Sequence, residues 1–529
     1  MAQGGMYDQL GGGFHRYAVD ETWTVPHFEK MLYDNGQLLS LYARSFASTQ
    51  DPQDERIIRE TIVFMDNNMT APTGAFYSAI DAEVDHKEGL NYLWRPAEVR
   101  AALSNDKDRE FALELFGVIE QGNFQDPHHP SEPRRNVLTQ PKRDQQAAEH
   151  FNLSLDGFYE RRDQVREAML SIRDQRDQPS LDDKIIVSWN AIAIEGLADA
   201  SIVLRDENIL RRAERAADFI LDEMLDADTN LMRIHRAGVS STPAFLEDYA
   251  GLTAALLSIH RARASLRLEP ELKYFRAAER LTNTALQRFG GSRGVLYDTT
   301  ANQPDLLVRS ASLYDGAIPS AQSIMLHNLL DFHAITREPE RLQQAEALLR
   351  ACSAEIDRSP IATINSVRAL LRFIAIDSEL PERLGPPREE TPSPEAREQP
   401  LRVMASADRI TIPETGETTL RVRLEIDSEY HINAFDAGHE SLVPLSLSIH
   451  NGAGITARVE APEPSKLSIA GIDANVYSGE VDLLVRLSRD QSEDFRGRPI
   501  LVLEYQACTE NACLAPASVE LAVSIDQGW

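Results

Sequence analysis

The chain is poor in cysteine, in basic residues and in long apolar runs. Three cysteines in 529 residues cannot make the disulfide framework of a small secreted scaffold. Cys352 stands alone in a helical segment, where a thiol reads as a small buried hydrophobe, and Cys508 and Cys513 form a close pair. With 54 Lys and Arg against 83 Asp and Glu, the net charge is -29. That balance excludes the basic footprint of a nucleic-acid binder and disfavours an anionic membrane surface; it also serves plain solubility. No stretch approaches the roughly 18 apolar residues of a membrane span. The start, "MAQGGMYDQL", has neither the basic nor the apolar region of a signal peptide. Read literally the chain is cytoplasmic, and periplasmic if an export signal precedes Met1. "DPHHP" (126 to 130) is a lone histidine pair in a loop, without metal-ligand spacing. Neither a Gly-rich phosphate loop nor a serine nucleophile elbow is present, so no metal and no cofactor is expected.

What is present is enough apolar surface, 42% of residues, and enough length for two or more cores. The segment "ELPERLGPPREETPSPEAREQP" (379 to 400) holds six prolines and almost no large apolar side chains, as an extended linker does. The hydrophobic period changes across it. Before it, "ILRRAERAADFILDEML" and "ELKYFRAAERLTNTALQRF" repeat apolar residues every three to four positions. After it, Leu420, Val422, Leu424 and Ile426 alternate with polar residues, as do Val481, Leu483, Val485 and Leu487, and then Val519, Leu521, Val523 and Ile525. The expected architecture is an all-α domain over 1–377, a Pro-rich linker over 378–401 and an antiparallel β-sandwich over 402–529.

The α part repeats itself. Tyr33–Asp34, Trp189–Asn190, Asp248–Tyr249 and Tyr314–Asp315 each place an aromatic beside an acid or amide ahead of an apolar helix. The last three recur at intervals of about sixty residues, the signature of successive helical hairpins. Closed into an (α/α) toroid, such hairpins bring their inner-helix N-termini to one mouth. "GGGFHRYAVDETWTVPHFEKMLYD" (11 to 34) adds His15, Arg16, Tyr17, Trp23, His27 and Glu29. Aromatic faces that stack on sugar rings, with carboxylates and amides for hydroxyl groups, fit a carbohydrate ligand. Paired carboxyls would suit glycoside cleavage, and histidines near neutral pKa would suit epimerisation. On this reading His15, His27, Asp248 and Asp315 are the acid–base candidates, with His327 a further histidine on the last repeat helix. Arg16, Tyr17, Trp23, Glu29, Tyr33, Asp34, Trp189, Asn190, Tyr249 and Tyr314 line the mouth. The same acids equally serve as helix N-caps and the same aromatics as core, and both roles stay open. "GAFYSAIDAEVDHKEGLNYLW" (74 to 94) reads as a β-hairpin insertion near that mouth, with Asp81 as a ligand candidate.

These stretches together resemble the spermatogenesis-associated protein 20-like, thioredoxin-domain-containing family. "YDQLGGGFHRYAVDETWTVPHFEKMLYDNGQL", "GAFYSAIDAE", "DDKIIVSWNAIAIEGLA", "LEDYAGL" and "YDGAIPSAQS" stand in the order of its motifs, over roughly residues 1 to 375. The resemblance implies an (α/α)6 toroid similar to N-acylglucosamine 2-epimerases and six-hairpin glycosidases. It also implies that the family's thioredoxin-like domain, and the first hairpin of the toroid, lie outside this chain. "YHINAFDAGHESLVPLSLSI" and "LEYQACTENACLAPASVEL" resemble the N-terminal, immunoglobulin-like domain of the thiol–disulfide interchange protein DsbD. That second resemblance implies a redox pair at Cys508 and Cys513 and a thioredoxin-like partner. Three functions are therefore expected in competition: a carbohydrate-binding or carbohydrate-processing toroid, a redox accessory protein, and a non-catalytic scaffold or truncated family member.

Overall fold

The computed structural model describes residues 1–291, 294–301, 309–378, 380, 400–407, 409–413, 416–439, 442–450, 454–469, 472–489, 500–509, 513–514, 516–521 and 524–527. Two compact units emerge, Met1–Pro386 and Pro387–Trp529. The linker expected over 378–401 lies outside the described residues except at 378, 380, 400 and 401.

The first unit is helical. It begins with α1 (Leu32–Thr49) and α2 (Pro52–Phe64), where Asp51 caps α2 by accepting the Gln53 N–H and Pro52 opens the first turn. Next come α3 (Pro96–Ala102), α4 (Asp106–Leu115), α5 (Asp144–His150) and α6 (Leu155–Arg173). This group has a core of its own around Trp94, Phe111, Phe116 and Phe158. The regular hairpins then follow: α7 (Val187–Leu204) with α8 (Glu207–Glu223), α9 (Leu246–Ser265) with α10 (Leu272–Phe289), α11 (Ala321–Thr336) with α12 (Pro339–Arg358), and finally α13 (Ile364–Ile376).

Helices α1, α7, α9, α11 and α13 stand side by side in that order, with α2, α8, α10 and α12 packed behind them. This is the toroid-like arrangement expected from the repeats. Outer helices are one-sided: α8 buries Ile209, Leu210, Ala213, Ala216, Ala217 and Ile220 and leaves its charged face to solvent. The inner helix α7 is buried over most of its surface, twelve of its eighteen residues. That is why α7, taken alone, is long and apolar enough to cross a membrane, a property the sequence reading did not anticipate. Its neighbours α1, α8 and α9 supply the apolar surroundings instead.

Two glycines set the spacing of the inner ring. A Cβ on Gly196 would stand 2.5 Å from the Gly36 carbonyl oxygen, and one on Gly36 would stand 2.8 Å from the Ala193 nitrogen. Helices α1 and α7 therefore touch backbone to backbone.

The second unit is built of antiparallel sheets. Leu401–Ala405, Glu417–Ile426, Glu480–Arg489 and Ile455–Glu460 form one sheet in that order. The two alternating runs read from the sequence pair directly, Leu420 with Val485, Val422 with Leu483 and Leu424 with Val481. All six side chains are buried in one core. A second sheet carries Ser465–Ile469, Ile472–Tyr477, His431–Asn433 and Ala507–Cys508, and a third Ser446–His450, Ile500–Tyr505 and Ala517–Leu521. In the last predicted run Leu521 is buried and Val519 packs beside it, while Val523 lies outside the described residues. Among the described residues one pair departs from the antiparallel pattern: Arg409–Ile412 runs parallel to Ser524–Gln527.

Candidate functional site

The glycine run at 11 to 13 closes a loop over a buried charge cluster. Gly12 and Gly13 have φ of +74° and +75°, and a Cβ on Gly13 would meet the Phe64 ring at 2.3 Å, so only glycine fits. Beneath the loop, Asp8 accepts from Lys30 Nζ at 2.8 Å and Arg173 Nη1 at 2.7 Å, and the Gly12 carbonyl accepts from Lys30 at 3.0 Å. His15 is sealed in beside this cluster, 2% exposed, its Nδ1 against the Phe28 carbonyl at 2.8 Å and its ring edge-on to Phe28 and Tyr92. Burial and the nearby Lys30 cation lower its pKa to about 3. The ring is neutral and closed to solvent, a structural position rather than the acid–base one expected for it.

Seven of the predicted residues do converge at the N-terminal ends of α1 and α7. Arg16 pairs with Glu29 at 3.0 Å, Glu29 stands 3.5 Å from His27 Nε2, and His27 Nδ1 meets Glu88 at 2.6 Å. Tyr17 stacks on His27 with ring centres 5.1 Å apart, and Tyr33 meets Trp189 edge-on at 4.9 Å. Asp34 sits by this group. Burial raises its pKa to about 7, the Glu29 charge adds to that, and Arg16 opposes it. Glu88 comes from the hairpin of Glu83–Val84 with Lys87–Glu88, inside the insertion read from 74 to 94. Asp81 of the same insertion is exposed and, among the described residues, its carboxylate takes the Glu83 N–H and the Ser180 hydroxyl. Trp23 is exposed in a turn held by Asp20, with φ +59°. Tyr314 is 67% exposed.

The other repeated acids and amides clamp backbone. Asn190 accepts the Phe76 N–H at 2.8 Å and donates to the carbonyls of Phe76 and Ile186. Asn35 does the same with Phe14 and Met31. The true structural repeat is thus Asn35 with Asn190, one residue on from the Asp34–Asn190 match that the sequence suggests. Asp248 takes the N–H groups of Ser188 and Phe245 and the Arg233 guanidinium. Tyr249 donates to the Thr229 carbonyl and accepts the Leu231 N–H. Asp315 takes the N–H of Ser320 ahead of α11 and of Asn365 in α13. Asn190, Asp248 and Tyr249 are buried, and their polar atoms hold helix starts and loops together rather than facing a ligand.

A second cluster lies on the axis of the ring. The inner helices border an open cavity of about 390 Å³, lined on α1 by Gln37, Ser40 and Arg44, on α7 by Glu195, and on α9 by Ser258 and Arg261; α11 adds His327, Asn328 and Asp331, and α13 adds Asn365, Arg368 and Arg372. Its size falls in the range of small-molecule sites, roughly 300–1,000 Å³. Asp199, one turn beyond Glu195, accepts from Ser40 Oγ at 2.8 Å, Arg44 at 3.3 Å and Arg261 at 3.0 Å. On the far wall Asp331 pairs with Arg372, which donates to His327 Nδ1 at 2.8 Å. An arginine can only donate, so Nδ1 accepts and His327 carries its proton on Nε2, 3.1 Å from the Asn365 carbonyl. Burial and the Arg372 and Arg368 charges lower the His327 pKa to about 4, which keeps it neutral.

Glu195 is the uncommitted member. Among the described residues it has no hydrogen-bond partner, and it lines the cavity. Burial, then Asp199, push its pKa up to about 8 against the pull of Arg261 and Arg44. A carboxyl held protonated at neutral pH is what a general acid requires. Asn328 on α11 is buried, donates to the Ala250 carbonyl at 2.8 Å, and leaves its Oδ1 unpartnered. Sequence reasoning named His327 and missed the others. Their signal was present: charged residues four apart inside otherwise apolar helices, as with Glu195 and Asp199 or Arg368 and Arg372.

In the second unit Cys508 and Cys513 form a disulfide. Cys508 is buried on the strand paired with His431, and Cys513 is exposed.

Comparison with known proteins follows these two units. Residues 399–524 match the family described as thiol:disulfide interchange protein DsbD, N-terminal, and a domain of that kind is present here. The chain is 31% identical over 398 residues to spermatogenesis-associated protein 20 of Homo sapiens, covering 70% of this chain and 50% of that protein. It spans about half the length of the curated relatives it matches. Among solved structures, the N-terminal periplasmic domain of ScsB from Proteus mirabilis aligns with 23% of this chain and 47% of its own, at 18% identity and a TM-score of 0.19. Cellobiose 2-epimerase from Bacillus thermoamylovorans aligns with 66% of this chain and 82% of its own, at 10% identity and a TM-score of 0.32.

Proposed function

We propose that the helical unit binds a small carbohydrate in the axial cavity and that Glu195 serves as its proton donor. The observation that carries this reading is Glu195, which lines the cavity with no hydrogen-bond or ion-pair partner among the described residues while the other charged groups there are paired or hydrogen-bonded; burial and Asp199, which raise its pKa to about 8, agree with a proton-donor role. Ser40, Gln37, Ser258 and the Asn328 Oδ1 supply groups for ligand hydroxyls. His327, held at both nitrogens, orients Arg372 and the α13 backbone and is not itself the base. A thermal melt of the whole chain against mono- and disaccharides tests the reading. A bound sugar at about 100 times its Kd stabilises the native state by about 2.7 kcal/mol, and Glu195→Ala removes that shift while keeping the fold. A sugar that stabilises parent and Glu195→Ala equally sinks the assignment.

The disulfide supports a second activity in the other unit, thiol–disulfide exchange, with the periplasm as its setting. A partner thiolate attacks the exposed Cys513 sulfur, and Cys508 leaves as thiolate. The partner's second thiol then resolves the mixed disulfide, so the partner is oxidised and both cysteines are reduced. A thioredoxin-like dithiol is expected to reduce this bond far faster than glutathione at equal thiol concentration. Equal, slow rates with both reductants would leave the bond purely structural.

A further inference from the structure

We infer that the axial cavity is built for an anionic ligand, a sugar bearing a carboxylate or a phosphate, with Arg368 holding the anion. The inference rests on the carbohydrate reading above and adds the charge of the ligand.

The cavity contradicts the chain around it. The protein carries a net charge of -29, yet four arginines, Arg44, Arg261, Arg368 and Arg372, converge on this one space from α1, α9 and α13. Two carboxylates answer three of them: Asp199 holds Arg44 and Arg261, and Asp331 holds Arg372. Arg368 has only a neutral partner among the described residues, the Asn365 Oδ1 at 2.9 Å. Its remaining N–H groups are free for a forked contact of the kind carboxylates and phosphates accept. Glu195 pairs with none of the four arginines, and a single carboxyl would not cancel the two-charge excess that Asp199 and Asp331 leave; burial, then Asp199, also raise its pKa to about 8 against Arg261 and Arg44. The positive neighbours of Arg368 make the same point, since burial and the Arg44 and Arg372 charges lower its own pKa against the smaller opposing pull of Asp315, whose carboxylate is already taken up by the N–H groups of Ser320 and Asn365. An incoming anion relieves that repulsion.

The lining also lacks what a neutral sugar uses. No Trp, Tyr or Phe lines the cavity among the described residues, so there is no apolar platform for a sugar face, and charge is the strongest available anchor. The unpartnered Asn328 Oδ1 in the same wall can accept from a ligand hydroxyl, which a sugar supplies.

The test is calorimetric titration of the whole chain at low salt with glucose, glucuronate, glucose 6-phosphate and inorganic phosphate, repeated on Arg368→Ala and on the outward-facing control Arg211→Ala. At least one anionic sugar is expected to bind tenfold or more tighter than glucose. Arg368→Ala then weakens it at least tenfold and weakens glucose several times less, while Arg211→Ala changes nothing. Glucuronate against glucose 6-phosphate tells which anion the cavity takes. Glucose binding as tightly as both anionic sugars overturns the inference and leaves the carbohydrate reading standing. Inorganic phosphate binding as tightly as glucose 6-phosphate keeps an anion site and sinks the carbohydrate reading. Equal weakening of all ligands by Arg368→Ala overturns its role as the anion's holder, and no binding by any probe overturns both.

Discussion

Asp8→Ala is expected to cost the helical unit about 3–5 kcal/mol, enough to unfold it at ordinary temperature or to lower its melt far below the parent's. Asp8 is buried and is the shared anion of two buried cations, accepting from Lys30 at 2.8 Å and Arg173 at 2.7 Å. It also takes the N–H groups of Leu10 and Gly11, which shapes the glycine loop. Removing it strands Lys30 and Arg173 without a counter-charge in an apolar shell of Phe64 and Tyr92. Burial already lowers the Lys30 pKa to about 8 even with Asp8 in place, so the cluster has little tolerance for a lost anion. The exposed pair Arg59–Glu55 offers the contrast; its disruption costs under about 1 kcal/mol. Denaturant unfolding followed by helical circular dichroism reads both. An Asp8→Ala protein within 1 kcal/mol of the parent would show that the cluster is not what holds the loop.

Gly196→Ala is the second large effect, with an expected loss of about 3 kcal/mol, at the upper end of what overpacking costs. In most helices this exchange is favourable, because glycine is the poorer helix former. Here the new methyl would stand 2.5 Å from the Gly36 carbonyl oxygen, and the obstacle is backbone rather than a side chain that could turn aside. Helices α1 and α7 must separate, which pulls Ser40 and Arg44 away from Asp199 and opens the cavity wall next to Glu195. Gly157→Ala in α6 is the matched control: its nearest neighbour is the Ser154 hydroxyl at 3.2 Å, and a change near zero is expected. Equal melts for the two variants would mean that the α1–α7 crossing is looser than its geometry implies.

Much of the fold was readable from hydrophobic period alone. Leu420 to Ile426 and Val481 to Leu487 alternate because one face of a sheet is buried, and the structure pairs those very runs. The one-sided helices α8 and α10 were equally plain. The site was read less well, for a physical reason. Repeated acids and aromatics at helix starts mark where helices must be capped and tied to neighbouring loops, and Asn190, Asp248 and Asp315 are used in that way. The same residue types would line a mouth, so sequence could not separate the two roles. The axial groups announce themselves differently, as lone charges on helices that are otherwise apolar. Glu195 and Asp199 are the only acids in α7. Their convergence with Arg261, Asp331 and Arg372 depends on how α1, α7, α9, α11 and α13 pack side by side, which no local pattern records. His15 looked catalytic because it lies in a dense polar stretch, and burial under the glycine loop makes it structural.

The central claim is that ligand chemistry belongs to the axis of the ring rather than to the mouth group around Asp34. The most direct measurement is the affinity of one sugar, the best binder of the panel, for Glu195→Ala and for Asp34→Asn, each checked for a native-like melt. A loss of at least tenfold in Glu195→Ala, with Asp34→Asn within twofold of the parent, is the predicted result. Binding lost in Asp34→Asn and kept in Glu195→Ala would contradict the account and return the site to the mouth.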